Sequence, residues 1–165
     1  MILRNLLLAA TAAMPAMAAA QDTASPEGLT ALGLDTCLVT RLPHDVSAPA
    51  GFAPAGEDGK IRRFDGPGGV TLAVTQRDGF YSCEMTVPNA SAATFDEMMA
   101  AASPRIQAMI DAADFEQVED GQVWQSVLPD DVAVTVKLQR QEDGTITLTS
   151  STETTQAPAA PRASD

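Results

Sequence analysis

Apolar residues recur along this chain with two periods, and the switches between them outline the elements. Leu29, Leu32, Leu34, Cys37, Leu38 and Leu42 follow helical spacing. Ser25 suits an N-cap, Pro26 the first helical position and Glu27 the first turn, and Pro43 marks the stop. An N-terminal helix is expected here, weakened by Gly28 and Gly33. A second stripe runs through Phe95, Met98, Met99, Ala102, Ile106, Met109, Ile110 and Ala113. Thr94 with Glu97 forms a capping box, so a helix is expected over 95–113. Pro104 interrupts it while the stripe keeps its phase. That predicts one kinked helix, or two short ones in line with Ser103 capping the second.

Elsewhere the period is two. Ile61 and Phe64 suggest a short strand, and Gly66 to Gly69 a turn. Val70, Leu72 and Val74 alternate with polar or small residues. Asp78-Gly79 then signals a hairpin, returning as Phe80 to Val87. After the central helix, Phe115–Glu119, Gln122–Leu128, Val132–Gln139 and Thr145–Thr152 read as strands. The turns between them are Asp120-Gly121, Pro129-Asp130-Asp131 and Asp143-Gly144. His44 to Gly59 reads as a loop rich in Pro, Gly and Ala, with Phe52 its one large apolar anchor; such a loop can cover a core or line a site.

The order is helix, strands, helix, strands. It predicts an α+β domain: a single antiparallel meander sheet with the N-terminal and central helices packed on one face. Helix-then-meander occurs twice, but the residues of the two halves do not match, so duplication stays open. The domain is expected over 21–152. Residues 153–165 are rich in Thr, Ala and Pro with little to bury, and read as a disordered tail.

Residues 1–20 change the picture of where the protein works. Arg4 supplies a positive charge, Leu6 to Ala13 an apolar run, and Ala16 to Ala20 small residues, the order of a cleavable signal peptide. The run is too short to anchor in a bilayer, and no later segment is long and apolar enough to span one. The expected location is the periplasm, or secretion, after cleavage before Ala19 or Gln21. The two cysteines, Cys37 and Cys83, fit that compartment as a disulfide pinning the first helix to a strand, rather than a redox pair of Cys-x-x-Cys type.

Charge narrows the partners. The chain carries −12. Such a surface disfavours nucleic acid and anionic membranes, which need basic patches. Another envelope protein is a candidate partner, and the oligomeric state is open.

Chemistry-bearing motifs are scarce. His44 is the only histidine, with Asp45 beside it, and is expected to be a solvated loop residue. With one histidine and both cysteines paired, zinc or copper would have to be held almost wholly by carboxylates, which suits neither metal. No serine sits in Gly-x-Ser-x-Gly. Glu-Asp-Gly occurs at 57–59, 119–121 and 142–144 without the ligand spacing of a calcium loop, so it reads as turn chemistry. The methionines at 85, 98, 99 and 109 follow core spacing rather than forming an adaptable binding surface. Lys60, Arg62 and Arg63 are the one basic cluster: a possible partner contact, or a charged edge strand that blocks aggregation. No catalytic, cofactor or metal residue is expected. The leading functional expectation is a non-catalytic binding or accessory domain of the periplasm. Inhibition of a periplasmic or extracellular enzyme, and a carboxylate-dependent hydrolase, are the alternatives.

Overall fold

The computed structural model describes residues 25–109, 116–118, 122–129 and 131–155. The signal segment 1–20, the end of the second stripe at Ile110 to Ala113, the Asp120-Gly121 turn and residues 156–165 lie outside the described residues.

The elements are α1 (Pro26–Cys37), β1 (Ala53–Asp58), β2 (Ile61–Asp65), β3 (Thr71–Arg77), β4 (Phe80–Val87), α2 (Ala92–Met109), β5 (Glu116–Val118), β6 (Val123–Leu128), β7 (Val132–Arg140) and β8 (Ile146–Thr154). The strands make one open antiparallel sheet of order β1-β2-β3-β4-β8-β7-β6-β5. It is two four-stranded meanders, each preceded by a helix, joined where β4 pairs with β8. Both helices pack together and on one face, α1 over the β4–β8 seam and α2 over β7. The α+β sheet with two helices on one face is therefore as the periodicity predicts.

Alternation assigns the two faces. On the covered face, Phe64, Leu72, Met85, Leu148 and Leu138 lie in register across five strands, all buried. The next row runs Arg62, Val74, Cys83, Ser150, Val136 and Trp124. The opposite face has no helix on it. It carries Thr75, Ser82, Ser151 and Thr135 in one row, and Arg63, Ala73, Glu84, Thr149 and Lys137 in another. Val127 is its one large exposed apolar residue among those described, at 67 %.

α1 begins as expected, with the Ser25 hydroxyl accepting from Gly28 N–H at 3.1 Å. It ends at Cys37, not at Leu42. Leu38 turns extended, and the next carbonyl, that of Val39, accepts a hydrogen bond from the Thr152 hydroxyl, which draws the chain onto the sheet. A Cβ on Gly33 would come within 2.8 Å of Met85, so glycine lets α1 sit close to the seam. α2 starts earlier than the capping box suggests. Ser91 is the cap, its hydroxyl accepting from Thr94 N–H at 3.0 Å, and the helix continues through Pro104 as one element. Its inward residues Met98, Ala102 and Ile106 are fully buried, so this part of the stripe is core.

Two further corrections concern the strands. The segment read as a loop from His44 to Gly59 contains a strand, β1, hidden from pattern reading because all six of its residues are exposed. It is the sheet edge, interrupted by a register shift between Pro54 and Gly56, which blunts it against further pairing. The basic strand is thus second from the edge, and the edge-strand reading of Lys60, Arg62 and Arg63 does not hold. At the other end, β8 runs through Thr154, and Thr155 donates to the Asp131 carbonyl, so the ordered chain passes the expected boundary at 153.

Candidate functional site

Between α1 and β1 the chain runs from Leu38 to Phe52 as an irregular strap across β2 and β3, beside the part of the sheet that α1 covers. Its residues alternate inward and outward: Leu42, His44 and Val46 are half-buried, and Arg41, Pro43, Asp45 and Ser47 exposed. An extended segment cannot satisfy its own backbone, so side chains from the sheet do it. Thr152 donates to the Val39 carbonyl, and Arg62 Nη1 to the Val46 carbonyl at 3.1 Å. Two anchors close the ends. The Cys37–Cys83 disulfide fixes the start, with Cα atoms 5.1 Å apart. At the far end the Phe52 ring lies so close to Gly66 that a Cβ there would sit 2.3 Å from it.

Strap, helix end and sheet do not meet tightly. They leave a pocket of about 250 Å³. Its floor is apolar, made by Phe64, Leu72 and Val74. Its walls carry Asp35 and Thr36 from the last turn of α1, and His44, Asp45, Val46, Ser47 and Pro49 from the strap. Tyr81 stands at the junction. Its hydroxyl donates to the Thr36 carbonyl at 3.3 Å, and the His44 ring meets its ring edge-on at 5.3 Å. Burial pushes the Tyr81 phenol up to about 12, with the Arg62 charge pulling the other way, so the phenol is a neutral donor at physiological pH. Asp35 is bridged by Arg105 of α2 at 3.3 Å, a pair that stays partly exposed.

His44 is therefore not the solvated loop histidine its sequence context suggests: it is half-buried against Tyr81. Pattern reading missed Asp35, Tyr81 and the floor as site residues. The one available signal was a lone His-Asp pair in a Pro- and Gly-rich segment. The basic cluster is dispersed by strand alternation. Lys60 lies in the β1–β2 turn, Arg62 points to the covered face beneath the strap, and Arg63 to the open face. Among the described residues no group of three or more His, Cys, Asp or Glu is placed to hold a metal ion. Among them, too, no helix is long and apolar enough to cross a membrane. Comparison with protein-family models, with curated proteins and with solved structures finds no match for this chain.

Proposed function

We propose that this is a non-catalytic binding domain of the periplasm, exported by the signal segment 1–20, and that it holds a small ligand beneath the strap. The observation that carries the reading is the pocket itself. An apolar floor ringed by a few converging polar groups is the usual form of a ligand site, and its volume lies just below the usual range, which suits a small molecule. The disulfide supports the compartment, since such bonds persist where thiols are oxidised. Binding is favoured over paired-acid hydrolysis because Asp35, one of the two acids that line the pocket, is engaged by Arg105.

Two measurements test it. Osmotic-shock release followed by intact mass should give a chain starting at Ala19 or Gln21 with both cysteines oxidised. An intact Met1 species with two free thiols in the cytosol would refute export. A fragment screen read by amide NMR should give shifts centred on Thr36, His44, Val46, Phe64 and Tyr81. Hits centred on the Ser- and Thr-rich open face would overturn the pocket.

A further inference from the structure

Resting on the pocket reading above, we infer that residues 40–48 of the strap are a lid over the pocket, and that Arg62 is the latch that holds it shut. Three observations carry this. The first is that the pocket's apolar side is covered: Phe64, Leu72, Val74 and Tyr81 are only 1 to 6 % exposed. Water itself barely touches these side chains, so a ligand rests on them only after their cover has moved. The second is the nature of the cover. Leu42, His44 and Val46 face inward without being fully buried, and among the described residues 40–48 make no backbone–backbone hydrogen bond. Few buried contacts and an unpaired backbone put a segment at the low end of local stability. The third is that both ends are fixed. The disulfide and the Thr152 bond to the Val39 carbonyl hold one, and the Phe52 ring seated on Gly66 holds the other. Between such anchors a chain bows outward and returns to the same place.

The latch is the hydrogen bond that reaches this stretch from the sheet. Arg62 Nη1 donates from β2 to the Val46 carbonyl at 3.1 Å. A charged donor makes a stronger bond than a neutral one, so a single tie of this kind can hold an otherwise loose segment. The Arg62 charge also acts on the buried Tyr81 phenol, which sets the guanidinium beneath the strap. Arg62 does not line the pocket, so its effect on a ligand passes through the strap.

The chain's single tyrosine and single tryptophan make the test direct. Tyr81 lies under the strap with the His44 ring 5.3 Å away, and Trp124 lies in β6 of the other half. The oxidised protein, labelled with fluorotyrosine and fluorotryptophan, is followed by fluorine relaxation dispersion. Tyr81 should exchange with a minor open state on the microsecond-to-millisecond timescale, and Trp124 should not. Arg62→Met should raise the open population about tenfold, as expected for losing a hydrogen bond from a charged group, with Trp124 keeping its native shift. Arg62→Lys, which keeps the charge, should give a smaller rise and serves if the methionine variant does not fold. Benzyl alcohol is the ligand probe: if it reaches the floor only through the open state, its affinity should rise in Arg62→Met by the same factor as that population. A Tyr81 as still as Trp124, or an exchange that neither Arg62 variant alters, would overturn the lid. Equal affinity of wild type and variant for benzyl alcohol would overturn the gating and leave the pocket standing. If benzyl alcohol binds neither protein while Tyr81 still exchanges and responds to Arg62, the pocket reading falls and the moving strap stands.

Discussion

Strands β2–β4 and β6–β8 repeat one plan, three strands with an alternating apolar face, each run ending on a strand of the central seam. What lies over them differs. Over β7 sits α2, which satisfies its own backbone and drives Met98, Ala102 and Ile106 into the sheet. Over β2 and β3 lies the strap, which borrows hydrogen bonds from Thr152 and Arg62 and buries only alternate residues. A helix stripe packs to interior density, whereas an extended segment held at a few points leaves space beneath it. The pocket lies under the strap because that is where the cover is least regular.

The comparison can be broken at four places. The largest effect is expected at the strap's anchor. Replacing both Cys37 and Cys83 by serine should cost about 4 kcal/mol for a loop of this length, read by urea melts, with hydrogen exchange rising first in 38–52. A loss spread evenly over both halves would mean that the disulfide does not selectively hold the strap. Next is Ile106→Ala under α2, expected to cost about 3 kcal/mol by leaving a cavity. If it melts like wild type, α2 is not the tight cover described.

The third is a titration. The Tyr81 phenol is neutral in the fold up to about 12, against about 10 in the unfolded chain. Between those values the folded state holds the extra proton, so stability is intact below pH 10 and falls as pH rises toward 12. Tyr81→Phe should remove this component of the alkaline loss. It should also cost about 1 kcal/mol at neutral pH, through the lost bond to Thr36. An unchanged alkaline limb would show that another group sets it. The smallest effect is expected at Ser150, whose buried hydroxyl has no partner among the described residues. Ser150→Ala should leave stability unchanged or raise it slightly, since it removes an unsatisfied polar atom. A marked loss in a thermal melt would reveal a hydrogen bond that the geometry omits.

Legibility in the sequence also divided along these lines. Where burial drives an element, the pattern carried it. Val132 to Leu138 alternates and is buried at every second position, and the inward face of α2 is the stripe that spacing gave. Asp78-Gly79 placed a hairpin because a tight turn needs the positive φ of 68° that Gly79 adopts. β1 left no trace: Ala53 to Asp58 buries nothing, contains a proline and two loop-forming residues, and is a strand only because β2 pairs with it. The start of α2 was misplaced because Ser91 and Thr94 are both good caps three residues apart, and only the fold chooses between them. The site was nearly invisible for a different reason. Its walls come from 35–36, 44–49 and 64–81, and no local period encodes a gap between segments that merely cross.

The β4–β8 seam bears on the order in which the molecule assembles. Every other strand pairing joins neighbours in sequence, so each half closes through short hairpin loops, whereas the seam brings together residues no nearer in sequence than Val87 and Ile146. Such long-range pairing is the slow, entropically costly step of folding. The disulfide, by contrast, lies wholly within the first half and ends on the seam strand β4. A chain oxidised early therefore presents β4 with α1 already tethered beside it. In the finished fold β8 completes the seat of Gly33 by supplying Leu148 beside Met85. The bond that braces the finished strap spans no part of the chain between Val87 and Ile146, so oxidation before refolding should order the first half without shortening the search that closes the seam.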